Sequence, residues 1–173
     1  MALKWKNPQE LDRYIQQVEE ACKKAAFNTM AKLGEKMLKD ARNDVSKLRH
    51  FTDRTGNLRS SIGYVVIQDG QIVFDAYSDP VSPAPGYEKE SNPAQAQAES
   101  RQHAELLAST LDSSKTWLIF VAGMNYASYV EAKGFDVITG TYDQYSTAGE
   151  FERLKVQFVT DVSEKMSKLK SNA

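Results

Sequence analysis

The chain has 173 residues, of which 41% are hydrophobic and 10% aromatic, and its formal net charge is -1. This length predicts a single domain, residues 1–173, with one ordinary core. Because the chain lacks a run of about eighteen apolar residues and its first residues are too polar for a signal peptide, we expect cytoplasmic synthesis and no membrane contact. The single cysteine, Cys22, excludes an internal disulfide and a cysteine metal cluster, and we interpret it as a packing residue.

The charge is distributed unevenly along the chain. Residues 1–60 hold 13 Lys and Arg against 8 Asp and Glu, whereas residues 61–160 hold 6 against 13. Such asymmetry is typical of a contact with nucleic acid or of a head-to-tail contact between copies of one protein. A solvated helix face is the plainer interpretation.

A long amphipathic helix is predicted over residues 7–48. Asn7 can cap its start, and Pro8 suits the first helical position, where no amide hydrogen is needed. Gly34 interrupts the pattern and predicts a bend or a break. A helix of this length, about 60 Å at 1.5 Å per residue, would extend beyond the domain, so we expect a neighbouring subunit to cover it. Apolar residues recur every three or four positions, at Leu11, Ile15, Val18, Cys22, Ala25, Met30, Leu33, Met37, Ala41, Val45 and Leu48.

A β-hairpin is predicted over residues 63–78. Two runs rich in Val, Ile, Tyr and Phe flank Asp69 and Gly70, a dipeptide that supplies the positive φ angles of a tight turn. The change from a helical period to this pattern marks the start of a sheet.

Residues 79–114 are predicted to be an inserted loop and helix. Three prolines favour an irregular path for residues 79–91. The following stretch, 94–111, is rich in Ala and Gln but has little apolar periodicity before Leu106 and Leu107. We therefore expect a marginal helix that is mobile or ordered by a partner.

The last third completes an α+β pattern. The run WLIFVA within residues 115–122 predicts a strand covered on both faces, hence central in the sheet. A short helix or turn follows it, and residues 135–138 predict another strand. Thr147 and Glu150 form a capping box that would open a C-terminal amphipathic helix. The fold expected is a long N-terminal helix, a small mainly antiparallel sheet, and this helix packed on the sheet. The stripe of the last helix comprises Phe151, Leu154, Phe158, Val162, Met166 and Leu169.

Motifs for catalysis and cofactor binding are not apparent in the sequence. The nine glycines form no phosphate-binding pattern, and there are only two histidines. Glu99 and His103 are spaced to share a helix face, but without a second His or Cys nearby a solvated polar face is the better interpretation. We expect no enzyme activity, no cofactor and no metal.

Two short segments carry a more specific pattern, DRTGNLRSSI at residues 53–62 and NYASYVEAKG at residues 125–134. A TGxLRxSI turn after a long helix, followed by strands, a YAxYVE segment and a C-terminal helix, resembles the neck and tail-completion family of tailed bacteriophages. Two features depart from that family: AKGFDVI follows YVE where the family usually has FGT, and residues 79–114 look inserted. The matching positions are Thr55, Gly56, Leu58, Arg59, Ser61, Ile62, Tyr126, Ala127, Tyr129, Val130 and Glu131.

The resemblance implies a structural protein of the virion that acts by assembly. It would be one subunit of a ring at the head-tail junction or tail end, with other phage neck, portal or tail proteins as partners and DNA passing through the ring as an open alternative. The member of the neck is left open between adaptor, tail terminator and joining protein. The interface residues expected on this basis are Asn57, Leu58, Arg59, Tyr126, Tyr129 and Glu131.

Two other interpretations stay open. The motif residues can be ordinary core, with Gly56 permitting a left-handed turn. Alternatively, the protein is a nucleic-acid-binding module that uses its basic first third, although acidic residues are interleaved there and the isoelectric point is about 6.2. The basic residues concerned are Lys23, Lys24, Lys32, Lys36, Lys39, Arg42, Lys47, Arg49, Arg54 and Arg59.

Overall fold

A computed structural model describes residues 7–43, 52–135 and 137–171, and it confirms the α+β class. Three antiparallel strands form the sheet, and helices lie on both of its faces. A short 3-10 turn, Glu88–Glu90, lies within the insert. The elements in chain order are α1 (Pro8–Asn43), α2 (Asn57–Ser61), β1 (Ile62–Gln68), β2 (Gln71–Tyr77), α3 (Pro93–Ala108), β3 (Trp117–Ala122), α4 (Ala127–Ala132), α5 (Thr139–Thr147) and α6 (Glu150–Ser171).

Helix α1 begins as predicted. The Asn7 side chain accepts a hydrogen bond from the backbone N–H of Gln9 at 3.0 Å, and Pro8 opens the helix. Of the bend or break expected at Gly34, the break was wrong, because the helix continues through this residue. Glycine is required there for another reason, because a Cβ would lie 2.3 Å from the ring of Tyr64. The last predicted residues of the helix, 44–48, lie outside the described residues.

The hairpin is confirmed, but the order of the strands differs from the expected one. Asp69 and Gly70 both have positive φ, 52° and 75°, as a tight two-residue turn requires. The strand order is β2-β1-β3, so the prediction that β3 is central was wrong. It is β1 that lies in the middle, with six of its seven residues buried. Strand β3 is mostly half-buried, and among the described residues β1 is the one strand that pairs with it.

The two faces of β1 carry separate parts of the core. Tyr64 and Val66 pack in the cluster that includes Leu38 of α1, whereas Val65 and Ile67 pack against α3 on the other face. Helix α3 presents only small residues to the sheet. They recur every fourth position and are almost completely buried: Ala96, Ser100, Ala104 and Ala108.

Helix α3 is thus packed on the sheet of its own chain, where we expected a marginal helix that is mobile or ordered by a partner. Small side chains let its backbone approach the sheet closely, and an added Cβ at Gly123 would lie 2.2 Å from the Cα of Ser100. The Ser100 hydroxyl donates to the carbonyl of Ser61 at 2.5 Å and accepts from the N–H of Gly123 at 2.8 Å. Leu106 and Leu107, which were the visible apolar pair, face outward and are 69% and 50% exposed.

The segment before α6 is helical rather than extended. Phe135 and residues 137–138 form no strand, Asp136 lies outside the described residues, and α5 follows directly. The capping box was also wrong, because Thr147 ends α5 and its hydroxyl donates to the carbonyl of Asp143 at 2.7 Å. Gly149 takes the place before α6, and its carbonyl accepts from the N–H of Arg153.

Helix α6 lies along α1 in the opposite direction. An ion pair of 3.5 Å between Lys36 and Glu150 holds its start beside the C-terminal half of α1. Farther along, Phe158 and Ala26 line the same cavity. The α6 stripe is half-buried along its whole length. Its first residues reach the sheet through a cluster of Leu33, Met37, Tyr145, Leu118, Phe120, Phe151 and Leu154.

No helix among the described residues is both long enough and apolar enough to cross a membrane.

Candidate functional site

The first motif folds as a tight turn leading into α2. Gly56 has φ of 75°, as predicted for a positive angle at this position, and a Cβ there would lie 2.2 Å from the carbonyl oxygen of Val81. The carboxylate of Asp53 accepts the backbone N–H of Arg59 at 2.7 Å and the hydroxyl of Thr55 at 3.4 Å. The bond from Arg59 occupies an N–H group that a short helix leaves without a partner in its first turn.

The same motif holds the insert. The Asn57 side chain donates to the carbonyl of Glu90 at 2.9 Å and accepts the N–H of Asn92 at 2.7 Å. The hydroxyl of Ser60 accepts the N–H of Val81 at 2.9 Å. The proline-rich loop is therefore fixed to α2 by side-chain bonds at both of its ends.

The second motif forms α4 and the turn that follows it. One oxygen of the Glu131 carboxylate accepts three successive backbone N–H groups, those of residues 137, 138 and 139, at 3.1, 2.8 and 3.1 Å. Glu131 thereby caps the start of α5. Tyr129 points outward and is 63% exposed, with the Lys133 ammonium 5.2 Å from its ring centre.

The two motifs meet at Tyr126. Its burial raises the pKa of the phenol, and a side-chain hydrogen bond with Thr55 partly offsets that rise. A small cleft of about 250 Å³ lies between the motifs. At its rim the guanidinium of Arg54 donates to the hydroxyl of Tyr87 at 2.9 Å. The cleft is lined by Thr52, Asp53, Arg54, Thr55, Leu58, Tyr87, Glu90, Tyr126 and Val130.

The six expected interface residues therefore have different surroundings. Leu58 is 1% exposed and belongs to the core of the subunit, so it can only support a surface. Asn57 and Glu131 make the internal bonds described above. Arg59 and Tyr126 are half-buried, and Tyr129 is the most exposed of the set. Sequence reasoning found the two motifs, and the structure adds that they contact each other.

A larger apolar groove was missed by sequence reasoning. It has a volume of about 1030 Å³ and opens between α1, α5, α6 and the edge strand β3. The half-buried α6 stripe and the apolar run of β3 were both visible in the sequence, but the space between them was not. The lining includes Ala26, Met30, Leu33, Met37, Trp117, Leu118, Ile119, Phe120, Ile138, Tyr142, Phe151, Leu154 and Phe158, with Lys115 and Lys155 as its charged residues and Thr29, Thr116 and Thr139 as its neutral polar ones.

Neither site resembles a metal centre. Within the described ranges, no three His, Cys, Asp or Glu side chains cluster closely enough to hold an ion. The Glu99 carboxylate instead accepts a hydrogen bond from the Gln95 side chain at 3.0 Å.

The fold and the two sites define a small α+β domain with a three-stranded antiparallel sheet, an internal junction of two motifs and an open apolar groove. No protein-family model matches the chain, and no curated protein or solved structure shows significant similarity to it.

Proposed function

We propose that the protein is a structural subunit that acts by associating with copies of itself and with other proteins, as a ring component in the neck or tail end of a tailed bacteriophage virion. The observation that carries self-association is the open apolar groove beside β3, since an uncovered apolar surface of this size is typical of an interaction site. The phage assignment rests on the resemblance in the two motifs.

Further apolar surface supports assembly over catalysis. Large apolar side chains remain exposed on the first turns of α1 and on the outer face of α6, including Ile15 at 52%, Val156 at 67% and Val159 at 60%. A pair of antiparallel helices with apolar residues on its outside gains stability when another surface covers it. This agrees with the expectation that a neighbour covers the long helix.

The rival function, nucleic-acid binding, is less well supported by the charges of α1. Lys23 contacts the carboxylates of Glu19 and Asp69, at 3.3 and 2.9 Å. Lys36 pairs with Glu150, and Arg42 pairs with Asp79 at 3.0 Å. Cations that already contact carboxylates of the same chain contribute less to binding phosphates, because those contacts would have to be exchanged.

Native mass spectrometry and electron microscopy of the purified full chain test the proposal. We expect oligomers of one defined subunit number, appearing as rings. A chain that stays monomeric at all concentrations and makes no complex with phage neck or tail proteins would contradict it.

A salt titration with duplex DNA separates the two functions. A nucleic-acid-binding module would lose affinity steeply with salt, and the combined substitution Lys24→Gln, Lys32→Gln and Lys39→Gln would reduce that slope. We expect weak binding and no effect of the triple substitution on assembly.

A further inference from the structure

The two ends of the apolar groove beside β3 differ in chemistry. The Gln68 side chain donates to the carbonyl of Lys23 at 2.8 Å and to the hydroxyl of Thr116 at 3.1 Å. The start of β3 therefore lies beside the part of α1 that precedes Ala26, which places Lys115 and Thr116 at that end of the groove. The opposite end contains the cluster of Leu33, Met37, Phe151 and Leu154.

The charges on the wall of the groove have a single sign. Among the described residues, the charged side chains that line it are Lys115 and Lys155, and no aspartate or glutamate does. The rest of the lining is aliphatic, aromatic or neutral polar. Such a wall favours a ligand that is apolar along its length and negatively charged at one end.

The hydroxyl of Thr29 is a buried polar group in this wall. Thr29 is 8% exposed and lies within one helical turn of Ala26, and hence towards the Lys115 end. Its hydroxyl has no hydrogen-bond partner among the described residues. Buried hydroxyl groups are nearly always hydrogen-bonded, because an unpaired one costs free energy. A ligand oxygen at Thr29 would supply the missing partner.

We infer that the groove binds a long-chain carboxylate, whose head accepts a hydrogen bond from Thr29 at the Lys115 end and whose hydrocarbon lies towards Met37. From Thr29 to Met37 helix α1 advances about 12 Å, the extended length of about ten carbons. The volume of about 1030 Å³ is sufficient for such a ligand. This site goes beyond the proposed self-association and does not depend on it.

The hydrocarbon should contribute more affinity than the charge. Burial of one methylene raises affinity by up to about fourfold. The side chain of Lys115 is 63% exposed and already pairs with Asp112 at 3.2 Å, so its attraction for a carboxylate is weak. Lys155 likewise pairs with Glu152. The head group therefore orients the ligand, and the length of the hydrocarbon determines how tightly it binds.

Calorimetric titration of the dilute full chain with octanoate, decanoate, dodecanoate and tetradecanoate, below their micelle concentrations, tests the hydrocarbon site. We expect affinity to rise by about twofold to fourfold with each added methylene up to decanoate, and by less beyond it, where the chain leaves the groove. An affinity that does not depend on chain length, or no binding of tetradecanoate, would overturn the inference.

The variant Thr29→Val, which has nearly the same shape without the hydroxyl, tests the head group. We expect dodecanoate to bind about tenfold more weakly, because a hydrogen bond to a charged group is lost. Methyl dodecanoate lacks the charge, so it should bind more weakly than dodecanoate to the parent and be little affected by the variant. Equal losses for the two ligands would contradict the position of the head group. Thr160→Val, on the exposed face of α6, is the matched control.

Two further variants test the walls of the groove. Phe158→Glu adds a carboxylate to the apolar wall and should weaken dodecanoate binding at least tenfold, whereas Val156→Glu, at a residue 67% exposed on the outside of α6, should not. Circular dichroism confirms that each variant folds. Lys115→Gln, at an exposed position, should weaken dodecanoate binding about threefold. Equal effects of the two glutamate variants would contradict the site.

Tryptophan fluorescence locates the bound ligand. The chain has two tryptophans, Trp5 and Trp117, and Trp117 lines the groove. In Trp5→Phe, Trp117 is the single reporter. Dodecanoate should shift its emission to shorter wavelength and reduce its quenching by iodide at least threefold. Binding that leaves the emission of Trp117 unchanged would place the ligand elsewhere and overturn the inference.

The outcomes separate this inference from the proposed function, because binding is measured on the dilute subunit and assembly on the concentrated protein. If the chain binds no carboxylate but assembles, and Phe158→Glu abolishes that assembly, the occupant of the groove is a second copy. The inference is then wrong and self-association stands. A chain that binds dodecanoate as expected but never assembles supports the inference and contradicts the proposed function.

Discussion

Helices α3 and α6 pack in opposite ways. Helix α3 presents alanines and a serine that are at most 6% exposed, so its backbone lies close to the sheet. Helix α6 presents phenylalanines and leucines that stay half-exposed above a groove of about 1030 Å³. Small side chains complete a contact within the chain, whereas the large ones of α6 form the apolar surface that the proposed self-association would cover.

The strongest test of this comparison is a larger side chain on the buried face of α3. Ala104 is fully buried, and Ala104→Leu would force the helix off the sheet, so we expect the free energy of unfolding to fall by about 3 kcal/mol. Urea denaturation measures this. Ala98→Leu, on the exposed face of the same helix, is the control and should change stability by less than about 0.5 kcal/mol. Equal effects from the two substitutions would contradict the close packing of α3.

Gly56 tests the turn against which the proline-rich loop packs. Gly56→Ala should destabilise by about 2 kcal/mol, because the positive φ is strained for alanine and the new Cβ would meet the carbonyl of Val81. Gly86 is the matched control, since it has φ of 89° but no atom within 4 Å of its would-be Cβ. Gly86→Ala should cost about 1 kcal/mol, the strain alone. An unchanged free energy of unfolding in Gly56→Ala would show that the loop does not pack closely against the turn.

The buried phenol of Tyr64, on the α1 side of the sheet, leads us to expect a loss of stability at alkaline pH. Burial, with the nearby Glu35 as a second cause, raises the pKa of Tyr64 to about 12. An unfolded tyrosine ionises near pH 10, so the stabilisation is fully present below pH 10 and is lost as pH rises towards 12.

We expect this loss to be on the order of 1 to 2 kcal/mol. Denaturation at several alkaline pH values measures it, and Tyr64→Phe should flatten the dependence, whereas Tyr129→Phe at the surface should not. An unchanged slope in Tyr64→Phe would assign the loss to another group.

The sequence was sufficient where one local rule decided the structure. The start of α1 follows from Asn7 and Pro8, and the hairpin follows from Asp69 and Gly70. The sequence was insufficient where the packing of elements against each other determined the structure. Alanine and serine do not register as an apolar stripe, so the buried face of α3 was missed. A continuous apolar run cannot distinguish a central strand from an edge strand beside a groove, so the central position was assigned to β3 instead of β1.

In the candidate site, too, local features could be predicted from the sequence and contacts between distant residues could not. The two motifs were evident as residue patterns, and the positive φ of Gly56 followed from its turn. The contact of Thr55 with Tyr126 joins residues about seventy positions apart, and no local pattern determines it. Glu131 was expected at an interface from its place beside two tyrosines, but its bonds to three backbone N–H groups depend on where the chain returns after α4.

The smallest effect on the stability of the subunit is expected for a substitution of Tyr129. This residue lies in the second motif and, like the apolar residues on the outside of α6, has an exposed side chain. Its side chain is 63% exposed, so Tyr129→Ala should change the free energy of unfolding by less than about 0.5 kcal/mol.

If Tyr129 contributes to a contact between subunits, the same substitution should weaken assembly about tenfold, since an exposed aromatic ring adds much buried area at little cost in rotamer freedom. Leu106→Ala, a 69% exposed apolar residue outside both motifs, is the control and should assemble normally. Thermal denaturation of the dilute subunit and sedimentation of the concentrated protein measure the two quantities separately. A Tyr129→Ala chain that assembles like the parent would remove Tyr129 from the interface and leave the groove as the remaining contact surface.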